Sequence, residues 1–163
     1  MNLNSLRDVF YAQLKDMYSA EKQLTEALPT MIDAASAPEL VQAFEQHLEV
    51  TQRQLETVHQ LLRDMNVNPG SKKCEAMEGL IAEGSEMANK DGDPDARDAG
   101  LICAAQKVEH YEIATYGTLR TWARVLGEHA AAETLQQLLD EEYEADDTLT
   151  TLAEGYLNKQ AAS

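Results

Sequence analysis

The chain has 163 residues, with 13 Lys and Arg against 29 Asp and Glu and a formal net charge of −16. Such an acidic surface repels phosphate backbones and anionic bilayers, which argues against nucleic-acid and membrane partners. With 4 Pro, 8 Gly and 44% hydrophobic residues, the composition favours one all-α domain around a single core.

No apolar run reaches the roughly 18 residues of a membrane span, and the segment around Arg7 and Asp8 lacks a signal-peptide core, so a cytoplasmic location is expected. Cys74 and Cys103 have neither metal-knuckle nor disulfide-framework spacing and read as reduced thiols.

A first helix is predicted over about 3–35, where Leu6, Phe10, Leu14, Met17, Leu24, Leu28 and Met31 recur at three- and four-residue steps. Glu21 falls inside that apolar series. Ser36, Pro38 and Glu39 have the form of a capping box with proline in the first turn, which starts a second helix near 37. Its stripe is read as Val41, Phe44, Leu48, Leu55, Val58 and Leu62, and the segment from Asn66 to Gly70 ends it.

Residues 73–86 form a short amphipathic helix within the long connection 67–92. Asp93 as N-cap and Pro94 in the first turn open a third long helix that ends before Gly127. The fourth covers about 128–158 with Leu135, Leu138, Leu149, Leu152 and Tyr156, and Glu142 stands where an apolar residue is due. Two antiparallel hairpins joined by one long crossover predict a ferritin-like four-helix bundle with a short extra helix in the crossover between its second and third long helices.

The acids in these stripes share a depth. Both helices of a hairpin rise about 1.5 Å per residue, so residues equally far from the turn lie level. Glu21 is then level with position 51, bracketed by Glu49 and Gln52, while Glu112 is level with Glu142, and Glu109 with Ala145 and Asp146. An unpaired buried carboxylate costs roughly several kcal/mol, so such a layer calls for cations or a hydrogen-bonded network. Oxygen-rich donors suit Mn, Fe or Mg, and known dinuclear bundles use Glu together with Glu-x-x-His pairs. Without metal, Glu109 and Glu112 would need partners such as Tyr116 or Arg120. Glu56-x-x-His59 has the pair spacing but lies about 10 Å along the axis from the layer, and His47 and His110 read as surface histidines. Tyr18, Tyr111 and Tyr143 read as packing aromatics.

Four segments, YSAEKQLTEALP (18–29), FEQHLEVTQRQ (44–54), CEAMEGLIAEG (74–84) and AAQKVEHYEIATYGTL (104–119), resemble the YciF/YciE stress proteins, a branch of the ferritin-like superfamily. The resemblance implies a ferritin-like bundle, dimerisation, a metal site inside the bundle and a role in bacterial stress. Carried over residue by residue, the ligand set it implies is Glu21, Glu49, Gln52, Glu109, Glu112, Glu142 and Asp146, for two ions of Fe or Mn, with Mg a third candidate. Gln52 stands where some relatives have histidine, and an amide oxygen is the weaker ligand for a first-row metal. Two functions are compatible with these features: a metal-binding stress protein whose centre meets peroxide or oxygen, and a metal-free helical protein acting through dimerisation or protein binding. Ferritin-style storage ranks last, because nothing in the sequence signals a hollow shell.

Overall fold

The computed structural model describes residues 3–163, which form helices and no strand. The helices are α1 (Leu6–Ala34), α2 (Pro38–Asp64), α3 (Glu75–Ala88), α4 (Pro94–Val125) and α5 (His129–Leu152). Beyond α5 the backbone widens into a π-helical turn, Ala153–Leu157, before a last helical turn, Asn158–Ala161. No helix among the described residues is long and apolar enough to cross a membrane.

Of the two predicted start signals, the one at Asp93 acts locally and the one at Ser36 does not. Ser5 caps α1 by accepting from the Asp8 amide, and Asp93 caps α4 by accepting from the Ala96 amide. Gly127, at φ 77°, supplies the left-handed residue that turns the chain from α4 into α5. The capping box expected at Ser36 and Glu39 does not form. Ala37 is the N-cap and has no side-chain bond. Instead Asp98, buried on α4, accepts from the Ser36 and Ala37 amides at 2.9 and 2.7 Å. An ionised acceptor makes the stronger hydrogen bond, and a carboxylate suits the positive end of a helix, so a distant residue took the role that the local motif offered. Glu39 accepts from the Tyr156 hydroxyl instead.

The four long helices pack as neighbours in the cyclic order α1, α2, α5, α4, and α3 lies across α1 and α4. Contacts at the helix ends fix the directions. The Asp98 bonds join the end of α1 to the start of α4, the Arg7–Glu128 pair at 2.6 Å joins the start of α1 to the end of α4, and Tyr156–Glu39 joins the end of α5 to the start of α2. Each of these neighbouring pairs is therefore antiparallel. The start of α3 is tied down by the Cys74 amide, which donates to Ser19 Oγ at 2.9 Å, and by Gln23, which donates to the Cys74 carbonyl at 3.1 Å.

The apolar interior falls into two clusters. The larger contains Phe10, Leu14, Val58, Leu62, Leu119 and Leu135, and the smaller Leu40, Phe44, Leu101, Ile102, Leu149 and Leu157. Where they meet, the inward stripes carry polar groups, although the larger cluster continues past that depth through Leu24 and Leu28 on α1 and Val108 on α4.

Candidate metal centre

Each long helix delivers a polar side chain to this layer because its apolar stripe is interrupted there. On α1 the buried series Phe10, Leu14, Met17, Glu21, Leu24, Leu28 keeps its helical step through Glu21. On α4 Glu109 and Glu112 occupy the stripe of Val108, Tyr116 and Leu119, and on α5 Glu142 follows Leu135 and Leu138. Glu21, Glu112 and Glu142 are 0% exposed and Glu109 is 2%. From α2 come His47, Thr51 and Gln54.

Ligand atoms of His47, Glu109, Glu112 and Glu142 all lie within 4.8 Å of one another. His47 Nε2 is 3.2 Å from Glu109 Oε1, although the ring is not aligned to donate to it. Glu21 joins from the α1 side, where it accepts from the Tyr116 hydroxyl and closely approaches Glu112. Gln54 Nε2 donates to Glu142, and to Glu141 Oε2 at 3.1 Å. Glu109 also lies against Glu142. The Glu21–Glu112 and Glu109–Glu142 contacts are hydrogen bonds only if one member holds a proton. Ionised, they repel.

Most of the layer's acceptors lack donors. Glu21 Oε2, Glu109 Oε2, both oxygens of Glu112 and Glu142 Oε2 are buried without a hydrogen-bond partner. Among the described residues no Lys or Arg forms an ion pair with any of these four acids. Arg120, the cation within reach by sequence, donates to Gln136 at 2.7 Å. The electrostatics follow from that shortage. Burial, and then the charge of Glu142, holds the carboxyls of Glu21, Glu109 and Glu112 well above the ordinary carboxylate range. Glu142 is pushed up to about 7, chiefly by burial and partly offset by its bonds to Glu109 and Gln54. Burial lowers the His47 imidazole to about 4, which favours the neutral form that binds metals.

Glu49 and Gln52 do not belong to this layer. Both are exposed on α2, which corrects their expected inward placement. The depth near 51 holds, but the azimuth does not. The leucine series puts Leu48 and Leu55 on the stripe, whereas both are only half-buried and the inward phase follows Phe44, Thr51, Gln54 and Val58. One position is a rotation of about 100°, enough to turn Glu49 and Gln52 to water and to bring in His47 and Gln54. The clue in the sequence is the series Phe44, His47, Thr51, Gln54, Val58, whose three- and four-residue steps are as regular as the leucine series.

Asp146 sits at the edge, half-buried, 3.3 Å from His110 Nε2 and accepting from Gln106 at 3.1 Å. Its charge contributes to raising the Glu109 carboxyl. Glu56 is exposed and pairs with Arg63 at 2.7 Å, and His59 packs against the Tyr18 ring at 5.2 Å between centroids. Tyr143 is exposed. Tyr111 donates to Asp16 at 2.9 Å and its hydroxyl lies 3.2 Å from the buried Cys74 thiol, while Cys103 is exposed.

The chain as a whole is similar to known proteins. Residues 5–162 match the family described as a domain of unknown function, DUF892. The chain is 49% identical to protein YciF of Escherichia coli K12 over 162 residues, covering 99% of this chain and 98% of that protein. The crystal structure of the E. coli stress protein YciF superposes with a TM-score of 0.91 at 48% identity, over 96% of this chain and 99% of that one. YcfI of Rhodopseudomonas palustris, described as a candidate structural protein, gives 0.88 at 40% identity over 92% and 96%. A protein of Xanthomonas campestris pv. campestris gives 0.77 at 26% identity over 95% of each chain. With a family match across nearly the whole chain and close likeness to YciF in both sequence and fold, this chain belongs to the DUF892 family as a relative of the YciF stress protein.

Proposed function

We propose that the chain is a metal-binding stress protein, a ferritin-like four-helix bundle that holds a pair of iron or manganese ions in its buried acid layer. One observation carries this reading: the partnerless carboxylate oxygens of Glu21, Glu109, Glu112 and Glu142, which neither arginine nor lysine neutralises. His47, Glu109, Glu112 and Glu142 are spaced to hold one ion, and Glu21 supplies a further carboxylate beside Glu112 for a second. The mix of carboxylates with a single imidazole suits Fe or Mn, and also admits Mg. When bound, such a pair supplies Lewis acidity and redox capacity toward peroxide or oxygen.

The protein's own groups prepare the layer. Tyr116 orients Glu21, Gln54 orients Glu142, and apolar side chains of both clusters pack against the layer. Outer partners of this kind fix ligand geometry in metal sites generally. Elemental analysis with anomalous diffraction, on protein purified without chelators, tests the reading. It predicts at least one ion among these side chains, and less than a tenth of an equivalent after reconstitution with Fe or Mn would overturn it.

A second reading is a metal-free protein acting through dimerisation or protein binding. Its support is the proton-sharing contacts Glu21–Glu112 and Glu109–Glu142, which satisfy the acids if half of them are protonated. The readings separate on metal addition, since only a ligand that binds the native state raises the melting temperature. The resemblance to YciF-type proteins also carries dimerisation with it, which sedimentation equilibrium would test.

A further inference from the structure

A cavity of about 360 Å³ lies beside the acid layer, between α2 and α5 and reaching inward to α1, α3 and α4. Its cause is a set of small residues from all five helices: Ala27, Ala43, Gly84, Ala104, Ala105 and Ala145. Protein interiors ordinarily leave few voids larger than a water molecule, and engineered apolar cavities of about 150 Å³ take up benzene. A space more than twice that size, walled inside by Leu24, Phe44, Val108 and Leu149, is suited to a ligand. Gln46 and Thr148, both exposed, stand at its rim. The rest of the lining selects on charge. Glu141 and Glu144 face the same space, and the one basic lining residue among those described, Arg53, sits 3.5 Å from Glu141. An anion would meet acids and no free cation.

We propose that this cavity binds a small neutral amphiphile, with its apolar body between the helices and an uncharged hydroxyl or carbonyl head near Gln46 and Thr148. His47 and Glu109 form part of the wall, so a bound molecule lies against the edge of the acid layer. The inference goes beyond the metal reading and does not require it, because the cavity's apolar walls are present whether or not ions are bound.

The test is calorimetric titration of the chelator-treated, full-length protein at pH 7.5 with 1-octanol and, separately, with octanoate. Octanol is expected to bind saturably at one site, at least tenfold more tightly than octanoate. Ala43→Phe and Ala105→Phe, which fill the space from α2 and α4, should each weaken octanol at least tenfold while far-UV circular dichroism stays helical. Absence of saturable octanol binding, equal affinity for octanoate, or undiminished binding by folded filled variants would overturn the proposal. The comparison of alcohol with carboxylate uses the unaltered chain, so it decides the matter even where a substitution disrupts the fold. Because no metal is present, a negative result leaves the metal reading standing, and a failure to bind metal leaves this one.

Discussion

Replacing Glu142 by glutamine should stabilise the metal-free protein at alkaline pH. Unfolded, the Glu142 carboxyl titrates near 4.5, whereas in the folded chain burial holds it at about 7. Below 4.5 both states keep the proton and nothing is lost. Between 4.5 and 7 the unfolded chain releases a proton that the folded chain retains, so stability falls as pH rises, and above 7 the loss is complete. At about 1.36 kcal/mol per pH unit the full loss is about 3 kcal/mol. In a chain of this size that corresponds to roughly 10 °C in melting temperature. Glutamine matches glutamate in size, can still accept from Gln54 and has no proton to release. The Glu142→Gln variant should therefore melt roughly 10 °C above wild type at pH 8 and level with it below pH 4.5, both treated with chelator. Taking the difference between the two proteins removes the repulsion of the net charge, which they share apart from this one group. With Mn²⁺ the order should invert, because ligands must be ionised to bind and the stabilisation from metal then grows with pH. A Glu142→Gln protein that melts below wild type at pH 8 without metal would refute the reasoning.

Three further outcomes are expected. Asp98→Ala leaves the Ser36 and Ala37 amides without their acceptor and should cost about 3 kcal/mol, read as a lower urea midpoint with unchanged slope. Glu49→Ala and Gln52→Ala should leave metal stoichiometry unchanged and stability within about 0.5 kcal/mol, whereas Glu109→Ala and Glu112→Ala should abolish or halve bound Mn on elemental analysis. Tyr116→Phe removes the donor to Glu21 and should destabilise the metal-free protein by about 1–3 kcal/mol, a deficit that should shrink when Mn²⁺ takes up the orphaned oxygen.

The helices were legible in the sequence because the apolar repeats on α1, α4 and α5 are strong and α4 is bounded by Asp93 and Gly127. The depth of the acid layer was also legible, since rise per residue depends on length alone. Rotation about the helix axis was not. On α2, leucines at 48 and 55 lie at the margin of the buried face, and an apolar residue at the margin is indistinguishable in sequence from one at the centre. That ambiguity hides His47 and Gln54 and makes Glu49 and Gln52 look inward. Asp98 is hidden for a different reason: a cap delivered by another helix leaves no local pattern, while Ser36 and Glu39 offered one that tertiary contacts displaced.

The split interior bears on how the molecule opens. Buried apolar packing continues past the acid layer along α1 and α4, through Leu24, Leu28 and Val108, but is interrupted there on α2 and α5, so on that side each end has its own apolar stock. Amide hydrogen exchange in the ion-free protein should then show one end of the rods loosening before the other, with the smaller Leu40–Leu157 end first. A cation seated across α2, α4 and α5 would fasten the two ends together, and exchange would collapse into a single slow process.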